Sequence, residues 1–416
     1  MGRNNMTYKF SEHSGRIINQ NKVVLGNRQT GQWMRISKEV YDILNLGIDN
    51  NLSISELKMS LYDEEDKNYI SQIYLKLCNI GIIEDENNKQ VLPNKLAVFE
   101  MTHRCNLKCI HCCIDADDLV SDNQDLSTEE TKCVLYKIIE WNPKRILLSG
   151  GEPMIRKDFK YLLKYLRNNY HGTIIVSTNG TLINSDNVDN LVECSDEISI
   201  SVDGINEETC SIVRGHGVFD KVINSVKLLQ SRGFKRITLS MTTGDKNEYL
   251  EDDFNELNRL LGTKPCIRGF APIGRGEKNR SYFSSYEKNE IHVPNKFISD
   301  NYNNPMVMLS CGGGNREIFI AHNGDIYPCP SFLRPKYLMG NILKLDKLSN
   351  WNKEVYKLLK EIDPNNYKIC KGCKVNLFCW TCLAQLDSVR DNGKAIENKC
   401  KKVKPVLFKR IWGSVN

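Results

Sequence analysis

The chain has 416 residues, of which 40% are hydrophobic and 26% charged, with a formal net charge of +6. That size leaves room for two or three domains, and no stretch approaches the roughly 20 apolar residues that a membrane span needs. The start lacks the apolar core of a signal peptide, so a cytoplasmic location is expected.

Residues 1–90 form a first predicted domain. Short strand-like segments near Tyr8–Phe10, Arg16–Asn19, Lys22–Leu25 and Trp33–Ile36 are broken by Gly15, Gly26 and Gly31. Apolar residues then recur at helical spacing: Val40, Ile43 and Leu44, then Ile54, Leu57 and Leu61, then Ile70, Ile73, Tyr74 and Leu77. Strands followed by three helices suggest a winged-helix-like module. Its 11 Lys+Arg against 12 Asp+Glu argue against a surface that tracks nucleic-acid phosphates. The polar run Asn87–Asn94 reads as a linker.

Residues 95–290 form the second domain. Strands are predicted at Leu96–Met101, Arg145–Leu148, Thr173–Val176, Glu197–Ser201, Arg236–Met241 and Cys266–Phe270. Amphipathic helices are expected between them, near Thr128–Glu140, Asp158–Asn168, Asn187–Val192, Phe219–Ser231 and Tyr249–Leu261. Six βα units imply an α/β fold with a parallel sheet, an open barrel or a doubly wound sheet. The third domain, 305–416, loses periodicity and gains cysteines, as a small domain held by metal would. Its basic tail from Lys399 onward reads as a solvated end.

In a reducing compartment the 16 cysteines point to metal ligands rather than disulfides. Cys105, Cys109 and Cys112, spaced C-x3-C-x2-C, follow the first strand of the second domain. Thiolate sulfur is soft and suits iron–sulfur clusters. Three protein ligands on a four-iron cluster leave one iron open, and open positions serve chemistry. The rival reading is a buried stripe on one helix face. A ligand loop at a strand's C-terminal end favours the cluster, since α/β folds keep their chemistry there.

Ser149-Gly150-Gly151-Glu152-Pro153 follows the second strand, where glycines let backbone approach a ligand closely. Asn179 lies after the third strand, Ser201 closes the fourth, and Arg214 lies beyond it. Such groups could hold a ribose or grip a carboxylate, although Asn-Gly and Asp-Gly are also ordinary turn pairs. Pro272-Ile273-Gly274-Arg275-Gly276 is either a plain loop or a substrate-facing turn. Seven further cysteines, Cys311, Cys329, Cys370, Cys373, Cys379, Cys382 and Cys400, exceed one four-thiolate site. Structural zinc would use four of them, so two sites are expected.

The cysteine triplet, Gly-Gly-Glu-Pro and six βα units together resemble the radical S-adenosylmethionine enzymes, over roughly residues 95–290. The resemblance implies a partial (β/α)6 barrel in which Cys105, Cys109 and Cys112 hold a [4Fe–4S] cluster. The open iron would bind the amino and carboxylate groups of S-adenosylmethionine, whose reductive cleavage gives a hydrogen-abstracting 5′-deoxyadenosyl radical. Gly150, Gly151 and Glu152 would face the methionine amino group, and Ser201, Arg214 and Asn179 other parts of the cofactor.

The C-terminal pattern resembles the SPASM extension of that family, implying two auxiliary [4Fe–4S] clusters. Cys370, Cys373, Cys379 and Cys400 would close the outer one. Cys311, Cys329 and Cys382 would hold the inner one, leaving an iron open. Two residues rather than the usual three precede Cys382 in its pair. The first domain's place ahead of such an enzyme resembles a peptide recognition element, which binds a precursor's leader as an added strand.

The resemblance as a whole implies a maturase of ribosomally made peptides, of the sactipeptide or ranthipeptide kind, that forms a cysteine thioether. It would draw electrons from a donor such as flavodoxin or ferredoxin, with no nucleic-acid or membrane partner. Carbon–carbon crosslinking, epimerisation and a sulfatase-maturase-like formylglycine synthesis are the alternatives within the family. A non-enzymatic metal scaffold is the alternative outside it. No catalytic acid or base is identified.

Overall fold

The structure, a computed structural model, describes residues 7–85, 95–119, 125–287, 290–299, 306–308, 311–363, 366–379 and 381–413. The linker expected at Asn87–Asn94 lies outside them. The chain divides into two compact units, one of residues 1–93, 289–311 and 361–416, the other of residues 94–288 and 312–360.

The first unit begins with β1 (Lys9–Phe10), β2 (Ser14–Asn19), β3 (Lys22–Asn27) and β4 (Trp33–Ser37). Helices α1 (Lys38–Asp49), α2 (Ile54–Met59) and α3 (Glu64–Asn79) follow, then β5 (Ile83–Glu84), which pairs with β1. Side-chain oxygens start all three helices: Ser37 accepts from the Val40 N–H, Ser53 and Glu56 form a capping box, and Asp63 accepts from the Glu65 N–H. Strands β2, β3 and β4 form an antiparallel sheet with β3 in the middle.

Because side chains alternate along a strand, β3 serves two cores. Val23 and Leu25 pack with Leu44, Leu57, Ile70 and Leu77 of the helices. Val24, between them, packs with Val403, Leu407, Ile411 and Trp412. Those four belong to the C-terminal helix, Gly393–Trp412. The basic tail is therefore not a free end: Val403, Leu407 and Ile411, spaced four apart, form its buried stripe, while Lys401, Lys402, Lys404 and Lys409 remain exposed.

The second unit alternates strand and helix. In chain order it comprises β6 (Leu96–Glu100), α4 (Thr128–Glu140), β7 (Arg145–Ser149), α5 (Phe159–Asn169), β8 (Thr173–Thr178) and α6 (Val188–Cys194). Then come β9 (Glu197–Ser201), α7 (Glu207–Arg214), α8 (Val218–Ser231), β10 (Ile237–Thr243), α9 (Glu251–Leu261), β11 (Lys264–Gly269) and α10 (Arg275–Lys278). Short α11 (Asn295–Ile298), which belongs to the first unit, precedes β12 (Glu317–Ile320), β13 (Asp325–Tyr327) and β14 (Gly340–Asn341) of the second. The chain ends with α12 (Glu354–Glu361), α13 (Leu383–Ser388) and the helix already described, α14 (Gly393–Trp412).

One sheet of nine strands runs in the order β11-β10-β9-β8-β7-β6-β12-β13-β14. The six strands β6 to β11 are parallel and adjacent in chain order, the open partial barrel that the sequence predicts. Beyond expectation, β12 adds in parallel beside β6, and β13 and β14 extend the sheet in antiparallel fashion. Ile146, Leu148, Ile174, Val176, Ile198 and Ile200, at alternate positions of neighbouring strands, form one fully buried apolar face of the sheet. All six parallel strands thus deliver their C-terminal ends to one edge of the sheet. Among the described residues, no helix is long and apolar enough to cross a membrane.

Candidate active site

The cysteine loop begins where β6 ends, and its neighbours hold it through backbone atoms. The Met101 N–H donates to Ser149 O at 2.8 Å, the Gly151 N–H to Thr102 O at 2.8 Å and the Glu152 N–H to Arg104 O at 2.8 Å. These bonds require the absence of side chains at Gly150 and Gly151. A Cβ on Gly150 would stand 2.6 Å from Thr102 O, and one on Gly151 would stand 2.1 Å from Arg104 O and 2.9 Å from Cys105 Cβ. Both glycines therefore let the loop after β7 lie flat against the cysteine loop.

Arg275 grips the loop from the other side. Its Nε donates to Cys109 O at 3.0 Å, its Nη2 to Ala116 O at 2.6 Å and its Nη1 to Asp115 at 2.8 Å. The Arg275 N–H also reaches Cys112 O at 2.9 Å. Gly274, at φ +56°, sits so close that a Cβ would meet Cys112 O at 2.5 Å. The Pro272–Gly276 run is thus a brace for the cysteines.

The three thiols are served by N–H groups and by two of the residues picked out from the sequence. Cys105 Sγ accepts from the Leu107 N–H at 3.4 Å and stands 3.9 Å from Asn179 Nδ2. Cys109 Sγ stands 3.6 Å from Arg214 Nη1, and Cys112 Sγ accepts from the Ala116 N–H at 3.3 Å. Burial pushes the Cys105 thiol up to about 12 and also raises Cys109, whose shift the Arg214 guanidinium opposes. Binding iron here must displace thiol protons, as metal ligation does generally.

Glu152 is buried at the end of the β7 loop. Its carboxylate accepts from the Asn179 N–H at 2.7 Å, from Thr178 Oγ1 at 2.9 and 3.0 Å and from the Met154 N–H at 3.2 Å. Burial raises it to about 7 against those donors. The side chain ties β7 to β8, and so fixes Asn179, whose Nδ2 donates to Asn106 Oδ1 at 2.8 Å. Ser201, on β9, accepts from Ser240 Oγ at 3.2 Å.

Asp203, which the sequence offers as a carboxylate at the end of the fourth strand or as half of an Asp-Gly turn, and His111, to which it gives no role, organise this site. Asp203 is buried at φ +51° and accepts from Arg214 Nε at 2.7 Å, from His111 Nε2 at 2.7 Å and from the Thr242 N–H at 2.5 Å. Burial opposes its ionisation, but Arg214 and His111 outweigh that and hold its carboxyl well below the usual range. A non-glycine residue in the left-handed region tolerates that strain when its surroundings hold it there. Arg214 is in turn oriented toward Cys109. His111 stacks on Phe283 at 5.8 Å between centroids, and Phe283 on Phe270 at 4.6 Å. The available signal was an acid at a strand's C-terminal end, hidden inside an Asp-Gly turn pair.

The donor set fits a cluster better than a lone ion. A single tetrahedral zinc brings sulfurs to about 4 Å from one another. Among the described residues, the only trio of His, Cys, Asp or Glu donors all within 4.8 Å of one another contains no cysteine. Cys109 and Cys112 nevertheless lie close enough to Cys105 for their charges to help raise its thiol, and Cys112 does the same to Cys109. In the first unit, Cys370 interacts in the same way with Cys379, Cys373 and Cys400, and burial first, then those neighbours, push it up to about 11. Cys382 begins α13, and Cys311 lies in this unit, whereas Cys329, ahead of the turn at Pro330–Phe332, lies in the second.

A parallel sheet whose strand ends surround a three-thiol loop, with an arginine and an amide beside the sulfurs, defines an iron–sulfur enzyme of the partial-barrel class. Residues 99–260 match the radical SAM superfamily and residues 311–374 the SPASM iron–sulfur cluster-binding domain, so the chain carries a radical SAM domain and a SPASM domain. Such a barrel binds a [4Fe–4S] cluster and S-adenosylmethionine, and the SPASM domain binds auxiliary clusters.

The chain is 28% identical over 304 residues to the mycofactocin maturase MftC of Mycolicibacterium smegmatis, covering 66% of this chain and 74% of that one. It is also 28% identical over 304 residues to AlbA of Bacillus subtilis, the antilisterial bacteriocin subtilosin biosynthesis protein, covering 69% and 66%. The fold is similar to Streptococcus suis SuiB in its crystal structure bound to the precursor peptide SuiA, with a TM-score of 0.55, 16% identity and coverage of 89% and 94%.

Proposed function

We propose that this chain is a cytoplasmic maturase that takes a ribosomally made precursor peptide by its leader and closes a cysteine thioether within it. The observation that carries the reading is the open three-thiol loop with Arg214 and Asn179 beside its sulfurs. Similarity to peptide-maturing and bacteriocin-biosynthesis proteins supports a peptide substrate.

When bound, the cluster and S-adenosylmethionine supply one-electron cleavage and hydrogen abstraction. The chain's own residues position and shield. Arg214, held by Asp203, presents a guanidinium to the carboxylate of the cofactor, and Asn179 offers an amide next to Cys105. Gly150 and Gly151 keep backbone at the loop's surface, Glu152 fixes β8 under Asn179, and Ser201 closes the wall at β9. Cys370, Cys373, Cys379 and Cys400 are assigned to an outer auxiliary cluster. Cys311, Cys329 and Cys382 are assigned to an inner one, which would supply an open iron for a sulfur ligand and an electron acceptor. The domain assignment 1–90, 95–290 and 305–416 accompanies this division of labour. In residues 1–90, β2 and β4 each pair only with β3 among the described residues, so each offers an edge for a leader strand.

The test is co-production with a short cysteine-bearing peptide encoded beside this chain, followed by mass spectrometry before and after cysteine alkylation. Loss of two hydrogens per crosslink, together with a cysteine that no longer alkylates, is the expected outcome. Loss of two hydrogens with the cysteine still reactive would replace the thioether by a carbon–carbon bond, and an unchanged mass would point to epimerisation.

A further inference from the structure

A second constellation stands beside the cysteine loop and contains no sulfur. Glu100 is the last residue of β6, His103 follows three positions later, and His322 comes after β12, the strand that pairs with β6 through Ile320 and Phe99. One donor atom from each of the three lies within 4.8 Å of the other two. His103 Nδ1 is 2.7 Å from Glu100 Oε1. The His322 backbone N–H donates to Glu100 Oε2 at 3.3 Å, and His322 Nδ1 is 3.5 Å from the same oxygen. The two rings lie 4.7 Å apart between centroids.

Three features set this trio apart from an ordinary hydrogen-bonded carboxylate. The Glu100 side chain is only 3% exposed, so its charge is taken out of water for some purpose. His322 Nδ1 is buried and faces the Glu100 carboxylate at 3.5 Å, too far for a well-formed hydrogen bond. Both histidine side chains keep limited contact with solvent, 24% and 19%, which gives an ion a route in. Two imidazoles and one carboxylate form the donor set of three-ligand zinc sites and of ferrous facial triads, both with an open position.

We infer that Glu100, His103 and His322 form a binding site for one divalent transition-metal ion of the zinc or ferrous class, distinct from the thiolate-held clusters. Tetrahedral coordination at about 2.0–2.1 Å places ligand atoms roughly 3.4 Å apart; Glu100 Oε2 and His322 Nδ1 already stand 3.5 Å apart, and Glu100 Oε1 and His103 Nδ1 would part from 2.7 Å to admit the ion. Imidazole and carboxylate ligands suit such an ion, whereas the soft sulfurs next to it suit iron–sulfur clusters. Three protein ligands leave a position for water or for a substrate oxygen.

The experiment uses the full-length chain with its clusters rebuilt anaerobically. The protein is incubated with excess Zn(II), desalted and assayed for zinc and iron by mass spectrometry, and its zinc K-edge absorption is recorded. The expected result is about one zinc per chain, with only nitrogen and oxygen neighbours near 2.0–2.1 Å. His322→Ala and Glu100→Gln should each lower retained zinc at least tenfold while iron per chain stays the same. Wild-type protein that retains no zinc overturns the site, as does a sulfur shell around the zinc, which would place it in the cysteine sites. Should a variant fail to fold, the wild-type stoichiometry and ligand shell decide alone.

Discussion

Replacing Gly151 by alanine tests whether the loop after β7 is moulded to the cysteine loop. The new Cβ would stand 2.1 Å from Arg104 O, 2.6 Å from Arg104 C and 2.9 Å from Cys105 Cβ, and the first two are backbone atoms that cannot swing aside. Relief requires the two loops to part, which lengthens the Gly151–Thr102 and Glu152–Arg104 hydrogen bonds, both 2.8 Å. Two buried backbone bonds at about 1 kcal/mol each and overpacking of about 1–3 kcal/mol give a destabilisation of roughly 3–5 kcal/mol. For a unit of this size that is a fall in Tm of about 6–20 °C. The assay pairs a melting curve with iron and acid-labile sulfide counts after anaerobic reconstitution. The variant should melt early and retain less of the barrel cluster. Wild-type melting and a full iron count in Gly151→Ala would refute the close-packing argument.

Arg275→Ala removes three hydrogen bonds to the cysteine loop, including those to Cys109 O and Ala116 O, and should speed loss of the barrel cluster to chelator several-fold. Absorbance decay under anaerobic chelation reads this. Glu152 is raised from 4.5 to about 7, so between those values the folded chain binds more protons than the unfolded one, and stability falls as pH rises through that window. Glu152→Gln should flatten this decline, worth about 3 kcal/mol in wild type, in denaturant midpoints measured from pH 5 to 7. Trp412→Ala empties a buried position and strands the Lys374 carbonyl that its Nε1 meets at 2.9 Å. It should cost the first unit about 3–5 kcal/mol, seen as early proteolysis of that unit.

Much of the fold was legible because the barrel obeys simple periods. Thr128–Glu140 reads as a helix from its apolar spacing and its Ser127/Glu130 capping box, and it is found with those ends. Strand Glu197–Ser201 is likewise found at its expected ends, since Ile198 and Ile200 alternate with Glu197, Ser199 and Ser201 at the two-residue period of a strand. The strands β12 to β14 were missed because they span only two to four residues each and take their stability from β6. Helix α14 was misread because lysines on its solvent face obscured the stripe Val403, Leu407, Ile411.

The cysteine motif and Gly-Gly-Glu-Pro were legible because their chemistry is written in local spacing. The brace from Arg275 and the Asp203–Arg214–His111 network were not. They join residues 11 to 166 positions apart, and only the parallel sheet brings them to one edge.

The central claim is that Cys105, Cys109 and Cys112 hold a cluster whose fourth iron is left to S-adenosylmethionine. Its most direct test is the yield of 5′-deoxyadenosine from anaerobically reconstituted Cys109→Ala protein supplied with a strong reductant. The account predicts that this product falls to background while the cysteines of the first unit still hold iron. Cleavage at the wild-type rate in that variant would contradict it.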